Sequence, residues 1–388
     1  MSLLKLKFNA TLDYQKHAVQ AVVDLFEEQP LAQDAFTVSV GQQIGGSQLS
    51  LDGDGFSGIA AVSNQLVLTQ EHLLRNLRKV QETNNIVLAD ELLNTSFDLE
   101  QEDEKGTYKI KKQVPHFSVE METGTGKTYV YLRTIFELNK TYGFTKFIIV
   151  VPSVPIREGV LKSIQIMRDH FRELYDHVPF DHFVYDPSKL GQVRQFGSSN
   201  KIQIMVINIQ AFEKEQNIIN REQDKLSGNK PIDFIRAANP IVIIDEPQSV
   251  EGDTRKDQTK RSEALHNLNP LCTLRYSATH KNPYNLLYSL GPIDAYDLKL
   301  VKRIEVASMV EEQSFNNTFV ALKEVNNKNG IKAKLQINVQ DKTGPKKKLV
   351  TVKQDDDLHL KSGNDSNLLI VFYVQIMPDD FVMQLHRF

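Results

Sequence analysis

The 388 residues give room for about two to three domains, and 40% hydrophobic with 24% charged residues is the makeup of a globular chain with a packed core. A formal charge of −3 excludes a broad basic field, so any contact with nucleic acid must come from local groups. The single cysteine, Cys272, excludes an intrachain disulfide and a multi-cysteine metal cluster, and makes a reducing, cytoplasmic location the expectation.

Met1 to Ala10 sets Lys5 and Lys7 among short apolar runs and shows no signal-peptide core. From Leu12 to Glu28, Ala18, Val19, Val22, Val23, Leu25 and Phe26 recur at helical spacing, which predicts an amphipathic helix with Asp13 as N-cap, ending near Pro30. Gly41, Gly45, Gly46, Gly53, Gly55 and Gly58 then punctuate a turn-rich stretch. Residues 31–112 therefore read as an insertion after the 1–30 helix, and its acidic end, Glu100 to Lys105, as a solvated loop. Asp52, Asp54 and Gly55 lack the spacing and closing glutamate of a calcium loop and are expected to form a turn.

From His116 onward, short β-rich runs alternate with helical patterns, as in a parallel sheet covered by helices spanning 113–300. The predicted strands are His116 to Glu120, Lys146 to Val151, Phe183 to Asp186, Gln203 to Asn208, Ile241 to Asp245 and Thr273 to Ser277. Phe147 to Val151 and Ile241 to Ile244 are continuously apolar, as strands buried on both faces are. Residues 301–388 read as a linker and partial β-rich region. There, Ile331 to Gln340 and Lys346 to Lys353 flank the turn Asp341 to Pro345 as a hairpin, with Lys346, Lys347 and Lys348 blunting its edge. The apolar run Leu368 to Met377 is too short to span a bilayer, and the tail from Gly363 shows no partner for it.

Chemistry concentrates in three segments. Met121-Glu122-Thr123-Gly124-Thr125-Gly126-Lys127-Thr128, between a predicted strand and helix, fits a phosphate-binding loop. Gly124 and Gly126 let backbone amides turn inward with those of Thr123 and Thr125, Lys127 reaches the β and γ phosphates of ATP, and Thr128 offers its hydroxyl to Mg²⁺. Met121 stands where the general GxxxxGK[ST] pattern has its first glycine. Ile241 to Ile244 runs into Asp245-Glu246-Pro247-Gln248: Asp245 can hold the Mg²⁺ complex, and Glu246 can orient or deprotonate the attacking water. Paired acids after a strand are otherwise a polar loop start, and the phosphate loop upstream decides against that. Ser277-Ala278-Thr279 closes another predicted strand. Alone it reads as a cap or turn, but in this order it fits, with Gln248, the element that couples hydrolysis to movement on nucleic acid.

Two weaker features agree. Tyr14-Gln15 precedes the phosphate loop where a glutamine that reads adenine is expected, although an exposed helix glutamine is an equal reading. Val151-Pro152-Ser153 and Asn208-Ile209-Gln210 end two predicted strands where Pro152, Ser153 and Gln210 can meet nucleic-acid phosphates, or serve as plain connections. The ten histidines show no HExxH or other ligand spacing.

Leu12-Asp13-Tyr14-Gln15, Met121 to Thr128, Asp245-Glu246-Pro247-Gln248 and Leu300-Val301-Lys302-Arg303-Ile304-Glu305-Val306 together resemble the Res subunit of Type III restriction enzymes, superfamily 2 motors, over about residues 1–360. The resemblance implies an α/β fold with a RecA-like P-loop domain, ATP and Mg²⁺ as cofactors, double-stranded DNA as track and the Mod methyltransferase subunit as partner. It further implies a second RecA-like domain bearing an arginine finger and a C-terminal nuclease, neither of which has motifs in this sequence. The expectation is a truncated or frameshifted form that holds ATP and turns it over weakly. A nonenzymatic nucleotide- or DNA-binding remnant is the rival, and a P-loop kinase is disfavoured by the ordered Asp-Glu and Ser-Ala-Thr segments.

Overall fold

In the computed structural model the first helix, α1 (Asp13–Asp24), turns Ala18, Val19, Val22 and Val23 into the core. Asp13 is its first helical residue and not its cap. Leu12 flanks the helix without a side-chain bond, because the Asp13 carboxylate is drawn to Lys16 at 2.9 Å. The helix ends at Asp24, and Glu28 takes a left-handed turn at φ 73°. The structure describes residues 7–32, 61–103, 106–226, 228–251, 259–280, 283–301, 320–326, 332–341, 344–353, 372–376 and 383–387. The glycines from Gly41 to Gly58, with Asp52 and Asp54, and Lys302 to Val306 lie outside them.

Two elements arise within the stretch read as an insertion. Helix α2 (Gln70–Thr83), capped by the Thr69 hydroxyl on the His72 amide, buries Leu73, Leu77 and Val80 in the same core as α1. Strand β1 (Asn94–Asp103) pairs antiparallel with β2 (Gly106–Met121), so Glu100 to Asp103 is strand rather than the solvated loop expected from its charge. Strand β2 thus begins ahead of the predicted His116, and the parallel pairing starts there, at His116 opposite Thr273.

The chain continues through α3 (Lys127–Tyr142), β3 (Lys146–Val151), α4 (Val154–Leu174), β4 (Phe180–Val184), α5 (Leu190–Ser198), β5 (Ile202–Asn208), α6 (Pro231–Ala237), β6 (Ile241–Asp245), α7 (Pro247–Val250), α8 (Lys260–His266), β7 (Cys272–Ser277), β8 (Leu286–Leu290) and α9 (Pro292–Asp297). The strands lie side by side in the order β8-β2-β7-β6-β3-β5-β4, all parallel. Alternation sorts the central residues between two cores, which is the α/β layering expected from doubly buried runs. Phe147, Ile149, Val151, Ile241 and Ile243 face α1, α3 and α4, whereas Ile148, Val150, Val242 and Ile244 face α5, α6 and α8. Strand β8 was not expected. Gln81 of α2 and Asn84 just past its end donate to the Leu286 and Leu287 carbonyls at 3.1 and 2.8 Å, satisfying groups that an edge strand leaves open.

At the start of β3 the fully buried Lys146 sends its ammonium to the carbonyls of Phe196, at 2.7 Å, and Ser199, closing the C-terminal end of α5. Burial alone pushes its pKa down from 10.5 to about 7. Lys146→Met should therefore destabilise the fold by about 1–3 kcal/mol at pH 9, since both carbonyls lose their donor. In the parent the unfolded chain takes up the proton first, so stability declines as pH falls from about 10 toward 7. Urea unfolding of both proteins across that range checks this. An unchanged midpoint in the variant, or a parent insensitive to pH there, would count against the capping role.

The molecule divides into units Met1–Arg303 and Ile304–Phe388. In the second, β9 (Val320–Asn326), β10 (Lys332–Asp341) and β11 (Gly344–Lys353) form an antiparallel sheet in the order β11-β10-β9. The hairpin expected from alternation is β10 with β11. It buries Ala333, Leu335, Ile337, Val350 and Val352, while Lys346, Lys347 and Lys348 are exposed on the edge strand. The tail run does find a partner, since β12 (Phe372–Ile376) pairs antiparallel with β13 (Met383–Arg387). Among the described residues no helix is long and apolar enough to cross a membrane.

Candidate functional site

Because β7 lies between β2 and β6, the three segments singled out above emerge from the carboxyl ends of neighbouring strands, the edge where open α/β sheets bind ligands. The loop after β2 is held open by its glycines. Gly124 has φ 83° with open space around it, and Gly126 has φ 93°, where a Cβ would come within 2.6 Å of the Gln15 amide nitrogen. Glu122 organises the turn: its carbonyl accepts from the Thr125 hydroxyl at 2.6 Å, and its carboxylate accepts from the Thr123 amide at 2.7 Å.

Gln15 is buried against this loop, donating to the Thr125 carbonyl at 3.0 Å, and the Tyr14 hydroxyl donates to the same oxygen at 3.1 Å. The α1 pair thus braces the loop from behind. The bracing by Tyr14 was not foreseen. Its signal was its place beside Gln15 at the start of α1.

Strand β6 ends in Asp245 and Glu246. Alternation puts Asp245 on the face of Ile241 and Ile243, toward α3, and the left-handed backbone of Glu246, at φ 53°, reverses the chain into α7. The Lys127 ammonium sits 2.9 Å from the Glu246 carboxylate and 3.5 Å from the Met121 carbonyl. Burial works against ionisation of Glu246, but Lys127, Ser277 and Gln248 outweigh it and hold its carboxyl below the usual value. Asp245 has less help. Burial, reinforced by the charge of Glu246 and only partly offset by Lys127, pushes its pKa up to about 6.

Asp245 is therefore charged at neutral pH at a cost to the fold. Its folded pKa is raised, so the folded state binds the extra proton between about pH 4 and 6, and stability is lost as pH rises through that window. Asp245→Asn should stabilise the ligand-free protein at pH 7 by up to about 3 kcal/mol, a gain that vanishes near pH 4. Urea unfolding at both pH values without Mg²⁺ or nucleotide tests it, and equal stability at pH 7 would show that Asp245 carries no such cost.

Gln248 donates to Glu246 at 2.6 Å. The Ser277 hydroxyl lies 2.9 Å from Glu246, 3.0 Å from the Gln248 amide oxygen and 3.1 Å from the Thr279 carbonyl, and it accepts from the Thr279 amide at 3.2 Å. One hydroxyl proton cannot serve three acceptors at once, so its direction depends on what Glu246 is doing. His280, not singled out in the sequence, ties this loop to β2. Its amide donates to Glu120 at 3.3 Å, and its half-buried ring, with pKa pushed down to about 4 mainly by burial, stays neutral within 3.4 Å of the Val119 carbonyl. Farther along the same edge Gln210 donates to the Pro152 carbonyl at 3.0 Å, joining the ends of β5 and β3. Ser153 flanks α4 without a side-chain capping bond.

The donor set suits a phosphate and a hard cation. It combines an open loop of amides with positive-φ glycines, an ammonium, the Thr128 hydroxyl at the start of α3, and a carboxylate whose pKa burial raises. The sequence model of the family described as "Type III restriction enzyme, res subunit" matches residues 56–282. This chain belongs to that family. Gly124 to Thr128, Asp245 to Gln248 and Ser277 to Thr279 fall inside the matched Res region, and Tyr14 and Gln15 precede it. The Type III restriction-modification enzyme EcoPI Res subunit of Escherichia phage P1 is 30% identical over 316 residues, covering 76% of this chain and 28% of that protein. The EcoP15I Res subunit of Escherichia coli is 31% identical over 259 residues, covering 62% of this chain and 24% of that protein. The chain thus spans about a quarter of the length of these Res relatives. The solved Sulfolobus solfataricus SWI2/SNF2 ATPase core in complex with dsDNA matches over 42% of this chain and 27% of that one, at 15% identity and a TM-score of 0.28.

Proposed function

We propose that this chain is the ATP-binding part of a DNA-translocating motor of the Type III restriction kind, working on double-stranded DNA in the cytoplasm and assembling with a Mod methyltransferase subunit. The observation that carries the reading is the Lys127–Glu246 pair at 2.9 Å, which joins the glycine-opened loop after β2 to the acids at the end of β6, with β7 between the two strands. In this proposal the amides of Thr123 to Lys127 surround the phosphates, and Lys127 leaves Glu246 for the β and γ oxygens of ATP. Glu246, released, accepts a proton from the attacking water. Gln248 and Ser277, both bonded to Glu246, pass the change to the Ser277–Thr279 loop, and Pro152, Ser153 and Gln210 meet the DNA backbone. Thr128 and Asp245 would hold Mg²⁺, which when bound neutralises charge on the phosphates.

Lys127→Ala tests the assignment. Titration with a fluorescent ATP analogue should show binding lost while the thermal transition persists, because among the described residues the lysine's ammonium meets only the Glu246 carboxylate and, at 3.5 Å, the Met121 carbonyl, and works through charge. Equal affinity in variant and parent would remove the phosphate-loop assignment. DNA-stimulated phosphate release separates a motor from a remnant that binds without turnover.

A further inference from the structure

Tyr131 lies fully buried on α3, and among the described residues its hydroxyl has no partner within hydrogen-bonding distance. It is one helical turn beyond Lys127 and Thr128, hence on the same face of the helix. Its ring meets that of Tyr276 edge-on, at 5.6 Å and 63°, and Tyr276 is the register partner of Asp245 across β7 and β6. Asp245 and Tyr276 point to the same face of the sheet, toward α3. Burial is the main cause that raises the phenol's pKa, the charge of the Asp245 carboxylate adds to the rise, and the Thr128 hydroxyl, too far for a full hydrogen bond, offsets a little of it. Tyr276 itself is engaged, donating to Thr134 at 3.3 Å. A buried hydroxyl left unbonded costs about 1–3 kcal/mol, which phenylalanine would avoid at the same volume. The cost points to a second state in which the hydroxyl is used.

We propose that Tyr131 is a positioning residue of the metal–nucleotide site, donating its phenol proton to the Asp245 carboxylate and fixing its orientation when Mg²⁺-ATP is bound. This rests on the nucleotide reading above. Tyr131 touches neither phosphate nor water. It acts through Asp245, as residues behind a metal ligand do by orienting the ligand.

The test compares the 388-residue chain with its Tyr131→Phe variant, which keeps the ring packed on Tyr276. A fluorescent ATP analogue is titrated in EDTA and then at rising Mg²⁺. Affinity in EDTA should not change, the melting temperature of the ligand-free protein should stay or rise, and the Mg²⁺ midpoint should move up about tenfold. In an Asp245→Asn background the same substitution should leave the remaining Mg²⁺ midpoint where it is, because the acceptor is gone. An unmoved midpoint in the single variant, or the same shift in both backgrounds, overturns the role of Tyr131 while leaving the nucleotide site standing. A parent that shows no Mg²⁺-dependent binding overturns the nucleotide reading and the Tyr131 role together.

Discussion

Residues 1–388 on their own are expected to bind Mg²⁺-ATP, to release phosphate about 10³- to 10⁵-fold more slowly than a complete two-domain motor, and to leave DNA uncut. The groups assigned to phosphate and water, Lys127, Thr128, Asp245 and Glu246, all sit at one edge of a single sheet. In the motors this family resembles, the opposite side of the γ-phosphate is closed by an arginine from a second RecA-like domain, and a developing charge left facing water loses the stabilisation such a group supplies. Steady-state phosphate release with and without duplex DNA measures the deficit, with Lys127→Ala as the control for contaminating helicase. Adding the second RecA-like domain of a full-length relative as a separate polypeptide should raise turnover. Rapid hydrolysis or DNA cleavage by the 388 residues alone would require a catalytic arginine or a nuclease centre inside this chain.

Glu246→Gln should keep Mg²⁺-ATP binding and lower whatever hydrolysis the parent shows by about 10²- to 10⁴-fold, the usual worth of a general base. The amide preserves the shape and the bonds from Ser277 and Gln248 but cannot take a proton. It also ceases to hold Lys127 by charge, so affinity for ATP should stay level or rise. Asp245→Asn should instead weaken binding only where Mg²⁺ is present. Single-turnover hydrolysis and analogue binding, run on both variants, resolve the two roles. Matching losses of affinity would mean that the acids do not divide the work in this way.

The parts of the fold legible in the sequence are those whose signal is local. Strands β3 and β6 fall at the expected bounds because a strand covered on both faces must be apolar throughout, and the three motif segments carry their own chemistry at the strand ends. The rest depended on distant partners. Asn94 to Asp103 is polar, and only its pairing with Gly106 to Pro115 makes it a strand. Leu286 to Leu290 has no β-branched residue and reads poorly as a strand until β2 and the side chains at the end of α2 hold its backbone. Asp13 failed as a cap because a lysine one turn ahead competed for its carboxylate. Within the candidate site, Lys127, Asp245, Glu246, Gln248 and Ser277, singled out by residue type and order, come together. Tyr14, His280 and Tyr131 were not found that way, since a lone tyrosine or histidine carries no pattern until its neighbours across the sheet are known.

The contact between Lys127 and Glu246 bears on which anions the loop would accept. An ammonium already matched by an internal carboxylate behaves as a site with a resident competitor, and a newcomer must exchange with that carboxylate rather than fill open space. Inorganic phosphate or sulfate brings little more charge than the group it would displace. In the proposed site a nucleoside triphosphate would bring a chain of phosphates able to engage the amides from Thr123 to Lys127 at the same time, and so would cross a threshold that small anions do not.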